Sequence, residues 1–231
     1  MKISIVIPVF NEEKTIKYVI DEVFASSFGV LAEREVIVVD DCSTDKTAAI
    51  LKDVKNIIVV SHAKNLGKGA AIKHGFEKAT GDAVLIQDAD LEYSPDDYPV
   101  LFKPIFENKA DVVFGSRFRG EYQRVLYFWH YAGNLFLTLL SNMFTNLNLS
   151  DMETGFKVFR KEVIKQILPK LKSKRFGIEP ELTARVARGS WRIYEVPINY
   201  YGRTYREGKK INWWDGVKAI GAIFYFNIFD R

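Results

Sequence analysis

Short apolar runs rich in β-branched residues alternate with helical spacing through the first half of the chain. Residues 3–7 (ISIVI) form a continuous apolar run, as expected of a strand buried on both faces, and Pro8 ends it. From Glu12 to Ala25 the apolar positions Ile16, Val19, Ile20, Val23 and Phe24 recur at helical spacing. Glu35 to Val39 predicts a second strand, closing on Asp40-Asp41-Cys42-Ser43, with Ser43 or Thr44 able to cap a helix through Leu51. Ile57 to Val60 predicts a third strand, and Gly67-Lys68-Gly69 opens a helix through Lys78. Ala83 to Ile86 is the fourth strand. Ser94-Pro95-Asp96-Asp97 reads as a helix start with Pro at the first helical position. Val112 to Phe114 is a fifth strand, ending in Gly115-Ser116-Arg117. This alternation predicts an α/β unit built on a mostly parallel sheet.

In open sheets of this kind, ligands bind beyond the carboxyl ends of the strands. Those ends carry Pro8 to Glu12, Asp40-Asp41, Asn65 to Gly69, Asp88 to Glu92 and Ser116-Arg117, which should converge on one rim. The run Val84-Leu85-Ile86 breaks abruptly into Asp88-Ala89-Asp90, with Glu92 just beyond. Three carboxylates at a strand end suit a divalent cation that carries phosphates, since Mg²⁺ takes one or two protein carboxylates and leaves its other positions to water and phosphate oxygen. A solvated acidic turn is the plainer alternative. GKGAAI at 67–72 is not a dinucleotide fingerprint, because Ile72 stands where the last small residue belongs and the segment follows the third strand. The Walker pattern is absent too.

Beyond residue 124 the character changes. Val125 to Leu149 is apolar around most of a helical circumference, interrupted by His130, Asn134 and Asn142. Its length approaches a bilayer span, and its polar interruptions leave two readings: helices at a membrane interface or a buried helical pair. Residues 151–160 turn into a short strand, helices follow over 161–168 and 178–188, and Arg192 to Val196 is a strand ended by Pro197. Residues 200–210 (YYGRTYREGKK) have no period and read as a mobile loop. Residues 211–229 are again apolar, with Trp213 and Trp214 at the start as at membrane interfaces.

Composition changes little in this picture. With 231 residues, 48% of them hydrophobic, a packed core is easily built. The single cysteine, Cys42, excludes an intramolecular disulfide and fits a reducing compartment. MKISIVIPVFNEE reads as a first strand, not a signal peptide. The net charge of +4 is unevenly spread: residues 157–210 hold 15 Lys/Arg against 5 Asp/Glu. Such a basic third could face nucleic acid, anionic lipid or a phosphorylated substrate. No nucleic-acid-binding module accompanies it, so no nucleic-acid partner is expected.

Seven segments carry a family resemblance: SIVIPVFNEE at 4–13, VIVVDDCSTDKT at 36–47, NLGKGAAIKHG at 65–75, QDADLEYSPDD at 87–97, DVVFGSRF at 111–118, DMETGFKVFRKEV at 151–163 and EVPINYYGRTYREGKK at 195–210. In this order the chain resembles family 2 glycosyltransferases of the GT-A fold, and within them dolichyl-phosphate mannose synthases, dolichyl-phosphate glucosyltransferases and their bacterial polyprenyl-phosphate counterparts. The resemblance implies a Rossmann-like catalytic domain over 1–210 and a C-terminal amphipathic membrane-associating segment over 211–231. It implies that Pro8, Phe10, Glu12 and Asp40, with neighbouring Asp41, hold the base and ribose of a nucleotide sugar. Asp88, Ala89 and Asp90 match the DXD motif that holds the diphosphate through Mg²⁺ or Mn²⁺. Glu92 falls where mannose synthases carry a Gln metal ligand. Asp90 and Glu92 are the expected direct ligands, with Asp88 serving the ribose or a metal-bound water. Arg203 and Lys209 match cations of a loop that closes over the donor diphosphate.

The chemistry agrees. Loss of a nucleoside diphosphate leaves charge that a cation and fixed Arg or Lys donors stabilise, so Asp90, Arg117 and Arg203 are the expected catalytic groups. A lipid monophosphate acceptor is already largely ionised near neutral pH and needs no strong base. Arg117, with Ser116, Lys157 and Arg160, is the expected grip on that phosphate. A hydroxyl acceptor would need a carboxylate base instead, with Asp151, Glu179 or Glu181 as candidates. The expectation is an inverting, metal-dependent hexosyltransferase acting on a polyprenyl phosphate, peripheral on the cytoplasmic face of the membrane. Asp40 does not distinguish guanine from uracil: GDP-mannose is the donor expected on the resemblance, and UDP-glucose the alternative. A glycan-directed transferase and a non-catalytic nucleotide-sugar-binding module are the competing readings.

Overall fold

A computed structural model describes residues 1–120, 124, 125, 127–204 and 213–230. Seven strands form one sheet: β1 (Lys2–Val9), β2 (Glu33–Asp40), β3 (Ile57–Ser61), β4 (Ala83–Ile86), β5 (Val112–Ser116), β6 (Lys157–Arg160) and β7 (Ile193–Pro197). Their order is β3-β2-β1-β4-β6-β5-β7. The first four strands run parallel, β7 runs parallel to β5, and β6 runs antiparallel to both β4 and β5. The predicted strands are therefore all present, each within two residues of its expected ends.

Both faces of the sheet are covered, which is why its strands read as unbroken apolar runs. Ile3, Ile5 and Ile7 point to one core with Val36, Val38 and Leu85, where α1 (Ile16–Ala25) and α4 (Tyr98–Phe106) pack. Val6, Ile37, Val39, Val84 and Ile86 point to the other, under α3 (Lys68–Lys78), α6 (Lys161–Ile167) and α7 (Ile178–Ala187). Burying each of these side chains contributes roughly 1.5–3 kcal/mol. A short α2 (Thr47–Asp53) follows β2, its first turn fixed by Asp45 Oδ1 accepting from Thr47 N, not by Ser43 or Thr44.

The remaining helices, α5 (Phe128–Thr145) and α8 (Trp213–Phe224), lie outside α7, and α8 runs on into a π-helical turn, Tyr225–Phe229. Helix α5 is inside out. Its buried residues are the polar Thr138 and Ser141, whereas Trp129, Phe136, Leu139 and Met143 are 81%, 54%, 59% and 73% exposed. Thr138 Oγ1 accepts from Met152 N, and Asn142 holds both the N–H and the carbonyl of Leu149, so the polar side is the anchored side. Trp213, Trp214, Val217 and Phe229 of the α8 segment extend the apolar surface, and Phe144 meets Phe224 edge-on at 5.1 Å. Residues 125–149 thus do not form a buried helical pair. Among the described residues no helix is long and apolar enough to cross a membrane.

Candidate active site

The strand register brings the expected groups to one rim. Pro8 and Val9 at the end of β1 pair with Val39 and Asp40 of β2, and β4 lies on the other side of β1. The loops after these three strands each contain a non-glycine residue in the left-handed region: Asn11 (φ 53°), Cys42 (φ 65°) and Leu91 (φ 61°). Asn tolerates this conformation; for Leu it costs about 1–2 kcal/mol, and strain of this kind clusters at functional sites. The loops are tied together. Thr15 Oγ1 donates to Ala89 O at 2.7 Å, Asn11 N donates to Ser43 Oγ, and Glu12 N donates to Thr47 Oγ1. Phe10 is 38% exposed at the rim beside them.

The two aspartates after β2 have separate tasks. Asp40 Oδ1 accepts from Ser43 N and shapes its own loop. Asp41 is buried and accepts from Leu66 N and Gly67 N, both at 2.7 Å, and shares a 2.7 Å hydrogen bond with His62 Nδ1. It therefore locks the start of α3. Gly67 is required there: its φ is +98°, and a Cβ would lie 2.4 Å from Lys174 O.

The acidic cluster divides in two. Asp88 faces Lys68 of α3, with Nζ–Oδ1 at 2.7 Å. Gly155 makes room for it, since a Cβ there would lie 2.3 Å from Asp88 Oδ2. Asp90 faces Arg203, whose Nη2 donates to Oδ2 at 2.7 Å. Burial, then the charges of Asp88 and Glu92, push the Asp90 carboxyl up to about 7, against the pull of Arg203. Glu92 shares Arg203 with Asp90: it accepts from Arg203 Nε at 3.3 Å and Arg203 N at 3.0 Å, and from the Tyr200 hydroxyl at 2.8 Å, and Tyr201 N bonds its carbonyl. Among the described residues no three acidic, imidazole or thiol groups close on one point. The two expected direct ligands, Asp90 and Glu92, both meet Arg203, and Glu92 is also engaged by Tyr200. Asp88 and Asp90 supply two hard oxygen donors with the excess negative charge that a Mg²⁺ or Mn²⁺ ion would neutralise, and Glu92 holds the segment carrying Arg203. Lys209 lies outside the described residues, as does most of the 200–210 loop.

The structure parts Arg160 from the other residues of the expected phosphate grip. Arg160 is at the wrong edge. Because β6 runs antiparallel, Arg160 pairs with Ala83 at the start of β4, and its guanidinium donates to Ile105 O, Ala110 O and Asn108 Oδ1. Lys157, at the other end of β6, is at the rim but fully buried, and its ammonium donates to Glu179 and Thr154 O. Ser116 is buried and shares a 2.7 Å hydrogen bond with Ser150 Oγ. Arg117 is locked by Asp151, which takes Nε and Nη2, both at 2.6 Å, while the guanidinium lies 5.2 Å from the centre of the Tyr200 ring. Asp151 thus serves as the counter-ion of Arg117. Glu179 and Glu181 are buried in the first turn of α7; Glu181 accepts from Lys172 N, Ser173 N and Arg185.

Two site residues escaped the sequence reading. Lys68 bridges Asp88 and Glu179, and although burial opposes its charge, those two carboxylates hold it firmly protonated. Its position after a rim loop was the signal. Glu153 lies among Glu179, Lys157, Arg117 and Asp151; burial, and then Glu179, push its carboxyl up to about 7, and its Oε1 has no hydrogen-bond partner among the described residues. Nothing local marks it, because its burial comes from segments far along the chain.

A rim of this kind, with paired carboxylates backed by Lys and Arg, can hold an anionic diphosphate and its leaving group. Known proteins resemble this chain in sequence and fold. Residues 4–168 match the model of glycosyl transferase family 2. A UDP-N-acetylglucosamine–dolichyl-phosphate N-acetylglucosaminyltransferase of Methanococcus voltae is 27% identical over 243 residues, spanning 96% of this chain and 93% of that protein. A dolichyl-phosphate beta-glucosyltransferase of Trichomonas vaginalis is 31% identical over 218 residues, spanning 86% of this chain and 65% of that protein. Among solved structures, glucosyl-3-phosphoglycerate synthase from Mycobacterium tuberculosis, in complex with Mn²⁺, UDP and phosphoglyceric acid, superposes with a TM-score of 0.73 at 22% identity, over 100% of this chain and 80% of that one. The architecture is therefore the expected GT-A fold, and the chain belongs to glycosyl transferase family 2.

Proposed function

We propose that this protein transfers a sugar from a nucleotide-sugar donor to a polyprenyl phosphate at a membrane surface, with inversion at the anomeric carbon. The observation that carries the acceptor is the inverted helix α5, which anchors Thr138 and Ser141 inward and leaves an aromatic and aliphatic face outward beside α8. Contiguous exposed apolar surface of this kind marks a membrane or partner contact, and an amphipathic helix lying in the interface buries that face among acyl chains. The relatives named for dolichyl phosphate support the same acceptor. The one named for UDP-N-acetylglucosamine favours a UDP-sugar over GDP-mannose.

In this reading Phe10, Glu12 and Asp40 receive the nucleoside, and Lys68 and Arg203 flank the diphosphate. Asp88 and Asp90 would hold a Mg²⁺ or Mn²⁺ ion, which when bound neutralises charge on the departing diphosphate. Arg203 adds its own positive charge at that leaving group. The lipid phosphate attacks as an anion, so no proton need be removed from it. Asp151 fixes Arg117 through Nε and Nη2, so only its Nη1 edge can meet an incoming anion.

A second reading rests on Glu153. A buried carboxyl with its pKa near 7 suits a general base, as transfer to a glycan hydroxyl would require. Thermal stabilisation by a panel of UDP- and GDP-sugars, with and without Mn²⁺, tests the donor. A Mn²⁺-dependent upward shift of the melting temperature with UDP-sugars is expected; a shift confined to GDP-mannose overturns the donor assignment.

A further inference from the structure

The loop between α6 and α7 forms a cationic tip between the donor rim and the apolar face. Its backbone is clamped. Glu181 accepts from Lys172 N and Ser173 N, Arg175 O accepts from Ile178 N, and Lys174 O accepts from Ala70 N in the first turn of α3. Contact with α3 is so close that a Cβ at Gly67 would lie 2.6 Å from Arg175 Cγ, and one at Gly69 would lie 2.4 Å from Ser173 O. Lys68, between those two glycines, reaches Asp88 at 2.7 Å. At its other end the loop touches α8, where a Cβ at Gly177 would lie 3.3 Å from Ala222 Cβ.

The side chains of Lys174 and Arg175 are exposed, and neither has an ion-pair partner among the described residues. Phe176 beside them is 43% exposed. Two cations on a rigid loop, with the diphosphate carboxylates on one side and an apolar face on the other, match an amphiphile whose anionic head points to the donor and whose tail lies on α8. Of the cations expected to serve this purpose, Lys157 is engaged with Glu179 and Arg160 with the opposite edge, while Asp151 leaves Arg117 only its Nη1 edge, so further cations are needed to hold a dianionic head.

We infer that Lys174 and Arg175 bind the phosphate of the prenyl-phosphate acceptor, a subsite that rests on the lipid-phosphate reading above. Arg grips phosphate through its fork and Lys as a point charge, and the exposed tip keeps both accessible to a head group arriving from the bilayer.

The test is binding of farnesyl phosphate in detergent solution, without a bilayer, to the wild type and to Lys174→Ala/Arg175→Ala, measured by titration calorimetry. The variant is expected to bind about tenfold more weakly, the worth of one or two charge-assisted contacts. Farnesol and UDP-sugar affinities should stay unchanged, and Lys174→Arg/Arg175→Lys should restore binding. Equal farnesyl-phosphate affinity in wild type and variant overturns the inference. If the variant then loses only its binding to phosphatidylglycerol vesicles free of prenyl phosphate, the two cations belong to bilayer head groups instead. Transfer to farnesyl phosphate by the wild type separates the failures: transfer with equal affinities sinks this subsite alone, whereas a wild type that neither binds nor uses farnesyl phosphate sinks the acceptor reading as well.

Discussion

Lys68 Nζ lies 2.7 Å from Asp88 Oδ1, which joins the first turn of α3 to the acidic loop after β4. The pair is about four-fifths buried, so its charge is only partly screened. Without Lys68, Asp88 would meet a diphosphate as a bare like charge, with Arg203 left only to Asp90 and Glu92. Lys68→Met is expected to weaken UDP-sugar binding about tenfold, the worth of one charge-assisted contact. Lys68→Arg should recover part of the loss. Calorimetric titration of the donor in Mn²⁺ checks this, and an unchanged affinity in the Met variant contradicts it.

Glu92 and Asp90 make opposite predictions. Glu92 holds Tyr200 and Arg203, whereas Asp90 is, in the proposed function, one of the two carboxylates that would hold a cation. Glu92→Gln keeps hydrogen-bond acceptors and should retain Mn²⁺ affinity within about twofold, since no first-sphere oxygen is lost. Asp90→Ala should remove metal-dependent turnover in a folded protein. Mn²⁺ titrations of activity separate the two variants, and equal losses in both would restore Glu92 as a ligand.

Glu153 carries a pH signature. Its carboxyl is raised from the ordinary 4.5 to about 7, so the folded chain keeps a proton that the unfolded chain releases across that interval. Stability from this group is therefore lost as pH rises from about 4.5 to about 7 and is level above. At about 1.4 kcal/mol per pKa unit, Glu153→Gln should be the more stable protein near pH 8 by on the order of 3 kcal/mol. The difference should vanish near pH 4, below both pKa values. Denaturant melts at the two pH values provide the comparison.

The sheet and the rim were legible because both depend on local patterns. Apolar runs marked β1, β2, β4 and β5, and the strand-end rule placed Asp40, Asp88 and Asp90 together. The direction of β6 left no trace in its four residues, yet it decides that Lys157 is at the rim and Arg160 at the opposite edge. Side-chain pairing was equally hidden. Glu92 is tied to residues more than 100 positions away, and Arg117 meets Asp151 34 positions on. For α5, the aromatic residues gave no way to choose between core and surface, because the only two residues it buries, Thr138 and Ser141, are polar.

That inversion is testable apart from catalysis. Phe136 and Leu139 lie on the outward face, 54% and 59% exposed, so Phe136→Ser/Leu139→Ser removes apolar surface most of which faces away from the core. Each side chain is worth roughly 1.5–3 kcal/mol when fully buried, so vesicle binding should fall at least about tenfold. The melting temperature in detergent-free buffer should fall by only a few degrees, since each side chain is partly packed on the fold. A large drop in melting temperature would mean that the face is covered within the protein.

The central claim is tested most directly by sugar transfer from a labelled UDP-sugar to polyprenyl phosphate, with Mn²⁺, in detergent. The account predicts a lipid-linked sugar phosphate formed by the wild type and absent with Asp90→Ala. Transfer to a glycan hydroxyl, with none to any lipid phosphate, would contradict it.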